Sequence, residues 1–223
     1  RGPLSPLLAN VLLDDLDREL ENRGLHFCRY ADDCIIFVRT MEAGERVLVN
    51  ISRYIEEDLK LKVNRQKSKA DRVWNCIYLG YIMGIGGQLR IAPASVKKLK
   101  SKVRLITRRN RPTPLREVIA ELIPVIRGWT NYFKLAAINR LCQELDEWTR
   151  RKLRCLRLKQ CKHPKGLRHF LESIGCKRKL RSGMVAMGTR WWRMACSQPA
   201  NICMDNAWLR AEGYISFYQL LKR

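Results

Sequence analysis

The chain has 223 residues, 46% of them hydrophobic, and carries 44 Lys+Arg against 21 Asp+Glu, a formal net charge of +23. Such a length suits one large domain or two small ones, and the apolar share is enough for a buried core. So positive a compact body repels itself and implies a polyanionic partner, while the lack of any apolar run near the ~18 residues of a membrane span excludes a spanning helix.

The charge is uneven along the chain. Residues 1–90 hold 14 basic and 13 acidic side chains; residues 91–223 hold 30 and 8. A near-neutral first part is followed by a part suited to phosphate. Nine cysteines without a CxxC pair, and no signal peptide, predict reduced thiols in a cytoplasmic protein.

In chain order, Ser5-Pro6 reads as a helix start, with Ser as cap and Pro at the first helical position. Leu8, Val11, Leu12, Leu16 and Leu20 follow at helical spacing, with Gly24 as a stop. Asp14, Asp15 and Asp17 fall on the solvated face of that helix. A strand over 26–31, a tight turn at Asp32-Asp33 and a second strand over 34–38 come next. The unbroken apolar run of the second strand predicts burial on both faces. A helix over 43–58 follows, then "LKLKVN" as a half-exposed strand. "VWNCIYLGYIMG" and "GGQLRIA" read as further strands around a Gly-rich turn at 84–87.

After Pro93 the pattern is helical. Ser95 caps a helix with Val96, Leu99, Val103 and Ile106 on one stripe. Thr113-Pro114 starts a second helix, which Pro124 should kink or end. A third helix spans 138–159, with six cations among residues 150–159. The stretch from Pro164 is basic and has no clear periodicity. The expected organisation is therefore residues 1–92, 93–163 and 164–223, in an α+β fold with the helices concentrated after the sheet.

The stretch "RYADDCIIF" sets two carboxylates side by side against an apolar run. Like charges there are tolerable when a divalent cation neutralises them, and hard carboxylate oxygens suit Mg²⁺. Two metal ions about 3.5–4 Å apart serve nucleotidyl transfer. An Asp-Asp turn is also ordinary turn chemistry, since Asp tolerates turn geometry.

The words "SPLLANVLLDDLDREL", "RYADDCIIF", "KVNRQKSK" and "YLGY", in that order, closely resemble the palm of reverse transcriptases encoded by group II introns. "RGWTNYF", "LDEWTRRKLRCLRLKQCKHPKG" and "TRWWRMACSQPANICMDNAWLRAEGYISF" resemble the thumb, or maturase, region of the same family. The resemblance implies a partial palm, an antiparallel sheet with helices, over 1–92. It implies an all-α, basic thumb/maturase domain over 93–163 and a basic helical extension over 164–223.

By that resemblance Asp32 is a catalytic metal ligand with Asp33 its neighbour, and Lys67 faces the incoming triphosphate. Tyr30 and Ala31 line the primer end and the nucleotide pocket. Gly2, Pro3 and Ser5 end a loop that touches template and nucleotide, and Leu79 and Gly80 lie on a strand supporting the primer. The implied cofactor is Mg²⁺ in a two-metal site completed by an upstream aspartate. No acidic residue precedes Asp14, and the finger segment also belongs upstream. The chain is therefore expected to be the C-terminal portion of a longer polymerase, inactive in primer extension alone.

The implied partners are intron RNA, the RNA/DNA primer–template duplex and deoxynucleoside triphosphates, in a cytoplasmic ribonucleoprotein of a bacterium. A homodimer is left open, and no membrane is implied. The expected RNA contacts are Lys97, Lys98, Arg127, Arg140, Arg150, Arg151, Arg154 and Arg157. Trp129, Tyr132 and Phe133 are offered as base-stacking residues or, preferably, as core. Cys155, Cys161, His163, His169 and Cys176 match no zinc-finger spacing closely. The rival reading is a non-catalytic RNA-binding maturase remnant whose palm is only a scaffold.

Overall fold

In the computed structural model, which describes residues 4–222, the helix predicted from Ser5 onward is two helices, α1 (Ser5–Leu12) and α2 (Asp14–Asn22). Leu13 separates them at φ −89°, ψ 1°, and Leu4, not Ser5, holds the cap position of α1. The apolar spacing divides with the helices. Leu16 and Leu20 are buried, whereas Leu7, Leu8 and Val11 of α1 are 61, 63 and 66% exposed. Gly24 stops α2 as expected. At φ 65° it lets the Leu25 N–H return to the Leu20 carbonyl at 3.0 Å, which satisfies an otherwise orphaned acceptor.

Two strands, β1 (His26–Tyr30) and β2 (Asp33–Phe37), pair antiparallel with Phe27 opposite Ile36 and Tyr30 opposite Asp33. Phe27 and Ile36 pack on Leu16 and Leu20 of α2 and on Ile51 of α3 (Met41–Glu57). The Thr40 side chain caps α3 by accepting from the Ala43 N–H. Burial on both faces of β2 is not found: Cys34 is exposed and Ile35 to Phe37 are only half-buried, because the sheet has two strands and one covered face.

The "LKLKVN" segment alternates in burial as predicted but forms no strand; no neighbouring strand pairs with it among the described residues. β3 (Ile77–Tyr78) and β4 (Tyr81–Met83) make a second hairpin, with Tyr78 opposite Tyr81. Its turn is Leu79-Gly80, which the sequence reading did not foresee; the glycine run at 84–87 turns the chain after β4 as expected, the Gly84 N–H donating to the Gln88 carbonyl at 2.7 Å. Leu79 and Gly80 both have positive φ, 50° and 80°, the geometry that matches the twist of flanking strands.

Two compact units result, Arg1–Gln88 and Leu89–Arg223. The second opens with β5 (Leu89–Ile91) and continues with helices alone: α4 (Pro93–Ile106), α5 (Leu115–Phe133), α6 (Asn139–Gln160) and six shorter ones. These are α7 (Pro164–Ser173), α8 (Arg178–Ala186), α9 (Trp191–Ala195), α10 (Gln198–Cys203), α11 (Asn206–Ala211) and α12 (Phe217–Leu221). Ala92, rather than Ser95, holds the cap position of α4, since Pro93 takes the first helical place where its missing N–H costs nothing. The α5 helix runs through Pro124, its apolar stripe Val118, Ile119, Leu122 and Ile126 being fully buried. Burial of that stripe offsets the lost helical hydrogen bond.

The long α6 organises this unit. It packs against α5, α9 and α12, and its C-terminal half joins the core made by Leu167, Leu171, Met184, Met194 and Met204. Within that core Cys176 and Cys203 are disulfide-bonded, their Cα atoms 5.1 Å apart, which corrects the expectation that all nine cysteines are thiols. Helix packing brings together two cysteines that sequence spacing leaves unrelated.

At the other end of α6 the buried Asp146 carboxylate accepts four hydrogen bonds, with no cation among them. Tyr214 Oη lies at 2.7 Å, Ser216 Oγ at 2.6 Å, and the Phe217 and Tyr218 N–H groups at 2.9 and 3.0 Å. A carboxylate placed at the first turn of α12 satisfies its orphaned N–H groups and welds the chain end to α6. Burial and then the Asp146 charge raise the Tyr214 phenol well above its usual value. Replacing Asp146 with Ala leaves these donors unsatisfied. Urea denaturation should show a loss of about 3 kcal/mol or more, with Asp146→Asn intermediate.

Candidate functional site

The "RYADD" stretch folds as a two-residue turn, Ala31-Asp32, between Tyr30 at the end of β1 and Asp33 at the start of β2. Ala31 has φ 54°, a left-handed conformation that costs a residue with a Cβ about 1–2 kcal/mol. The hairpin register sorts the side chains. Phe27, Arg29, Cys34 and Ile36 share the face towards α2 and α3; Cys28, Tyr30, Asp33 and Ile35 share the other. Asp33 therefore stands beside Tyr30 on the open face, and Tyr30 is 67% exposed. Asp32, in the turn, is exposed as well.

Arg29 is the nearest cation in sequence, but it does not meet these aspartates. It donates from Nε and Nη2 to the two carboxylate oxygens of Asp17, at 2.7 and 2.5 Å. Its Nη1 reaches Asn10 Oδ1 and the Ala31 carbonyl, each at 3.1 Å. One guanidinium thus ties α1, α2 and the hairpin turn together. The Asp17 hydrogen bond, above all, raises the Arg29 pKa further. Asp17 is accordingly not a solvated helix residue; it is the clamp's acid. Asp14 and Asp15 are the solvated ones, Asp14 being paired at the surface with Arg18 at 2.9 Å.

Among the described residues no hydrogen bond or ion pair holds the Asp32 or Asp33 carboxylate. Two exposed carboxylates of this kind are hard oxygen donors, and they fit a magnesium ion whose remaining ligands come from water, phosphate or other protein groups. No group of three or more His, Cys, Asp and Glu side chains converges among the described residues. Tyr78 belongs to the same surroundings: burial, then the negative charge of Cys28, Cys34 and Asp33, raises its phenol.

The other candidates fall as follows. Lys67 lies in an exposed turn, its N–H bonded to the Asn64 carbonyl at 3.0 Å. Leu79 and Gly80 form the β3–β4 turn and not a strand. Gly2, Pro3 and the Ser5 side chain lie outside the described residues. In the second unit Lys97, Lys98, Arg127 and Arg140 are exposed, Arg140 facing Glu144 at 3.2 Å. Trp129 and Phe133 pack together with centroids 5.1 Å apart, and Phe133 is buried, while Tyr132 is exposed at the edge of that pair.

Arg150, Arg151 and Arg154 line one cavity of about 350 Å³, with Glu147, Asn201 and Asp205. Arg154 is the exception in the basic set. It is buried and donates to the Met204 carbonyl at 2.7 Å and to Asn201 Oδ1 at 2.5 Å, so it joins α6 to α10. Burial, then the charges of Arg150 and Arg151, lower its pKa. Arg157 lies 3.8 Å from the centre of the Phe170 ring. Cys176, part of the zinc set considered above, is consumed by the disulfide.

Sequence reasoning missed the Arg29–Asp17 clamp, although a signal existed. Alternation in β1 turns Arg29 inward with Phe27, and an inward arginine needs an acid on the helix beneath it. Asp17 is three residues before the buried Leu20, on that side of α2. Neither Arg29→Lys nor Asp17→Asn can keep the bidentate geometry. Each should cost about 2 kcal/mol in denaturant unfolding, and the double mutant should lose little more than either single one.

Residues 96–174 match the family described as group II intron, maturase-specific domain, and residues 2–83 match reverse transcriptase (RNA-dependent DNA polymerase). The retron Mx65 reverse transcriptase of Myxococcus xanthus is 38% identical over 75 residues, which is 32% of this chain. The chain spans 17% of that relative's length. The two matched segments thus fall one in each unit: the α+β unit with its exposed Asp-Asp hairpin is similar to reverse transcriptases, and the basic helical unit to the maturase-specific domain of group II introns.

Proposed function

We propose that the chain serves a group II intron as its RNA-binding maturase, and that its first unit supplies the metal-holding hairpin of RNA-directed DNA synthesis. The observation that carries this is the Arg29–Asp17 clamp, which leaves Asp32 and Asp33 exposed and without a bonded protein cation. Reverse transcriptases generally use Mg²⁺. Asp32 is the ligand, Asp33 its neighbour, and bound metal supplies Lewis acidity at the phosphates being exchanged. Tyr30 and Ala31 offer a stacking ring and a close backbone approach at the primer end. Lys67 neutralises charge on the leaving pyrophosphate of a deoxynucleoside triphosphate. Leu79 and Gly80 support the primer from the tip of a hairpin, and Gly2, Pro3 and Ser5 meet template and nucleotide.

Residues 1–92 then act as the palm portion, 93–163 as thumb and maturase, and 164–223 as its extension. The Arg1–Gln88 unit holds 13 basic and 13 acidic residues, so the whole net charge of +23 resides in the other unit. Lys97, Lys98, Arg127, Arg140, Arg150, Arg151 and Arg157 contact phosphates of intron RNA or of a primer–template duplex. Arg154, buried, acts by holding Arg150 and Arg151 in place.

RNA binding across a salt series tests the maturase half. Each phosphate contact should add about −0.7 to −0.9 to the slope of log affinity against log salt. A slope near zero would sink the reading. The polymerase half is tested by primer extension with Mg²⁺. The chain alone is expected to give no extension, since two carboxylates are too few for two-metal chemistry. Extension that is lost in Asp32→Ala would instead show that the chain polymerises unaided.

A further inference from the structure

A second cavity in the helical unit, of about 290 Å³, is absent from the contacts assigned above. Arg104, Arg109, Lys152, Trp148 and Trp192 line it, and no carboxylate does. None of its three cations takes part in an ion pair among the described residues. The Trp148 ring orders two of them: Arg104 Cζ and Lys152 Nζ each lie 5.5 Å from its centroid. Such contacts hold cations in place without neutralising them. Trp192, on α9, is 42% exposed, with Arg151 Cζ 6.0 Å from its centroid. The floor is closed by the buried Cys155 and by Thr107, whose hydroxyl is already bonded to the Val103 carbonyl at 2.6 Å.

This is a cationic pocket with a half-exposed indole at its rim. Three uncompensated charges around a cavity seek an anion, and a half-exposed indole at its rim seeks a flat, apolar one. Burial first, and then Arg104 and Arg109, lower the Lys152 pKa, so a bound anion relieves a repulsion the unit otherwise carries. A nucleotide meets both demands. Its base must be unpaired, because a base inside a duplex has no free π-face to offer.

We propose that this pocket binds a single unpaired nucleotide of RNA, its phosphate held by Arg104, Arg109 and Lys152 and its base stacked on Trp192. The proposal rests on the RNA-binding reading above and sharpens it: the unit grips duplex and loop phosphates through charge, and selects unpaired positions through this pocket.

The full chain tests it by fluorescence anisotropy with two probes, a short single-stranded RNA and the same sequence as a blunt duplex. Trp192→Ala should weaken single-strand binding about 5- to 100-fold while duplex binding changes by less than about twofold. Trp192→Phe, which keeps a ring, should retain most of the affinity. Arg109→Gln should flatten the single-strand salt slope by about 0.7. Arg109 is exposed, so this variant decides the matter should Trp192→Ala lose its helical circular dichroism. Equal loss on both probes, or no loss on either, overturns the pocket alone. Wild-type protein that binds neither probe overturns the pocket and the RNA-binding reading together.

Discussion

The first unit depends on one ion pair. A basic protein that carries an acidic hairpin has a simple way to fail: its own arginines settle on the aspartates. Arg29 is three residues from Asp32 and is the obvious candidate. The fold gives it a better partner, a carboxylate that accepts both of its forked donors on the covered side of the sheet. Bidentate guanidinium–carboxylate pairing is stronger and more directional than a single surface contact. The clamp thereby removes the competitor and anchors the turn, because the same guanidinium also holds the Ala31 carbonyl. The positive φ of Ala31 is the strain that this anchoring sustains.

In the second unit an anion plays the corresponding part. Asp146 is buried without a cation, which is costly unless every lone pair is used. Four donors from one short segment of chain use them. The carboxylate therefore specifies where α12 begins and which way it docks. Arg154 does the reverse job further along α6, a buried cation satisfied by a carbonyl and an amide oxygen. Both groups were drawn into the core from a helix whose sequence reads as a plain amphipathic stripe.

What sequence reading reached follows from these facts. The hairpin, the helices at 43–58 and 138–159 and the electrostatic divide were legible, because each rests on a local pattern of turn residues, spacing or charge. The core role of Trp129 and Phe133 was legible for the same reason, whereas Tyr132, read with them as core, is exposed. The break at Leu13 was not, because the heptad-like leucines continue across it and only tertiary packing reveals which of them are covered. Nor was the Leu79-Gly80 turn, since a leucine with φ 50° contradicts its own preference. The Cys176–Cys203 bond and the cavity around Trp148 and Trp192 join residues 27 and 44 positions apart in sequence, beyond any periodicity.

Under the proposed function the division of charge acquires a physical reason. A divalent cation binds two carboxylates by Coulomb attraction, and every nearby fixed positive charge subtracts from it. Grip on RNA demands the opposite, since each phosphate held adds to affinity through released counterions. One surface cannot serve both ends well. Balanced charge in the unit that carries Asp32 and Asp33 keeps their field intact, and concentrating the excess cations in a separate helical unit lets phosphate binding strengthen without titrating the acids. Even within the first unit the principle holds at close range. Arg29 is kept, but its charge is spent on Asp17, so the basic residue that shapes the hairpin does not silence it.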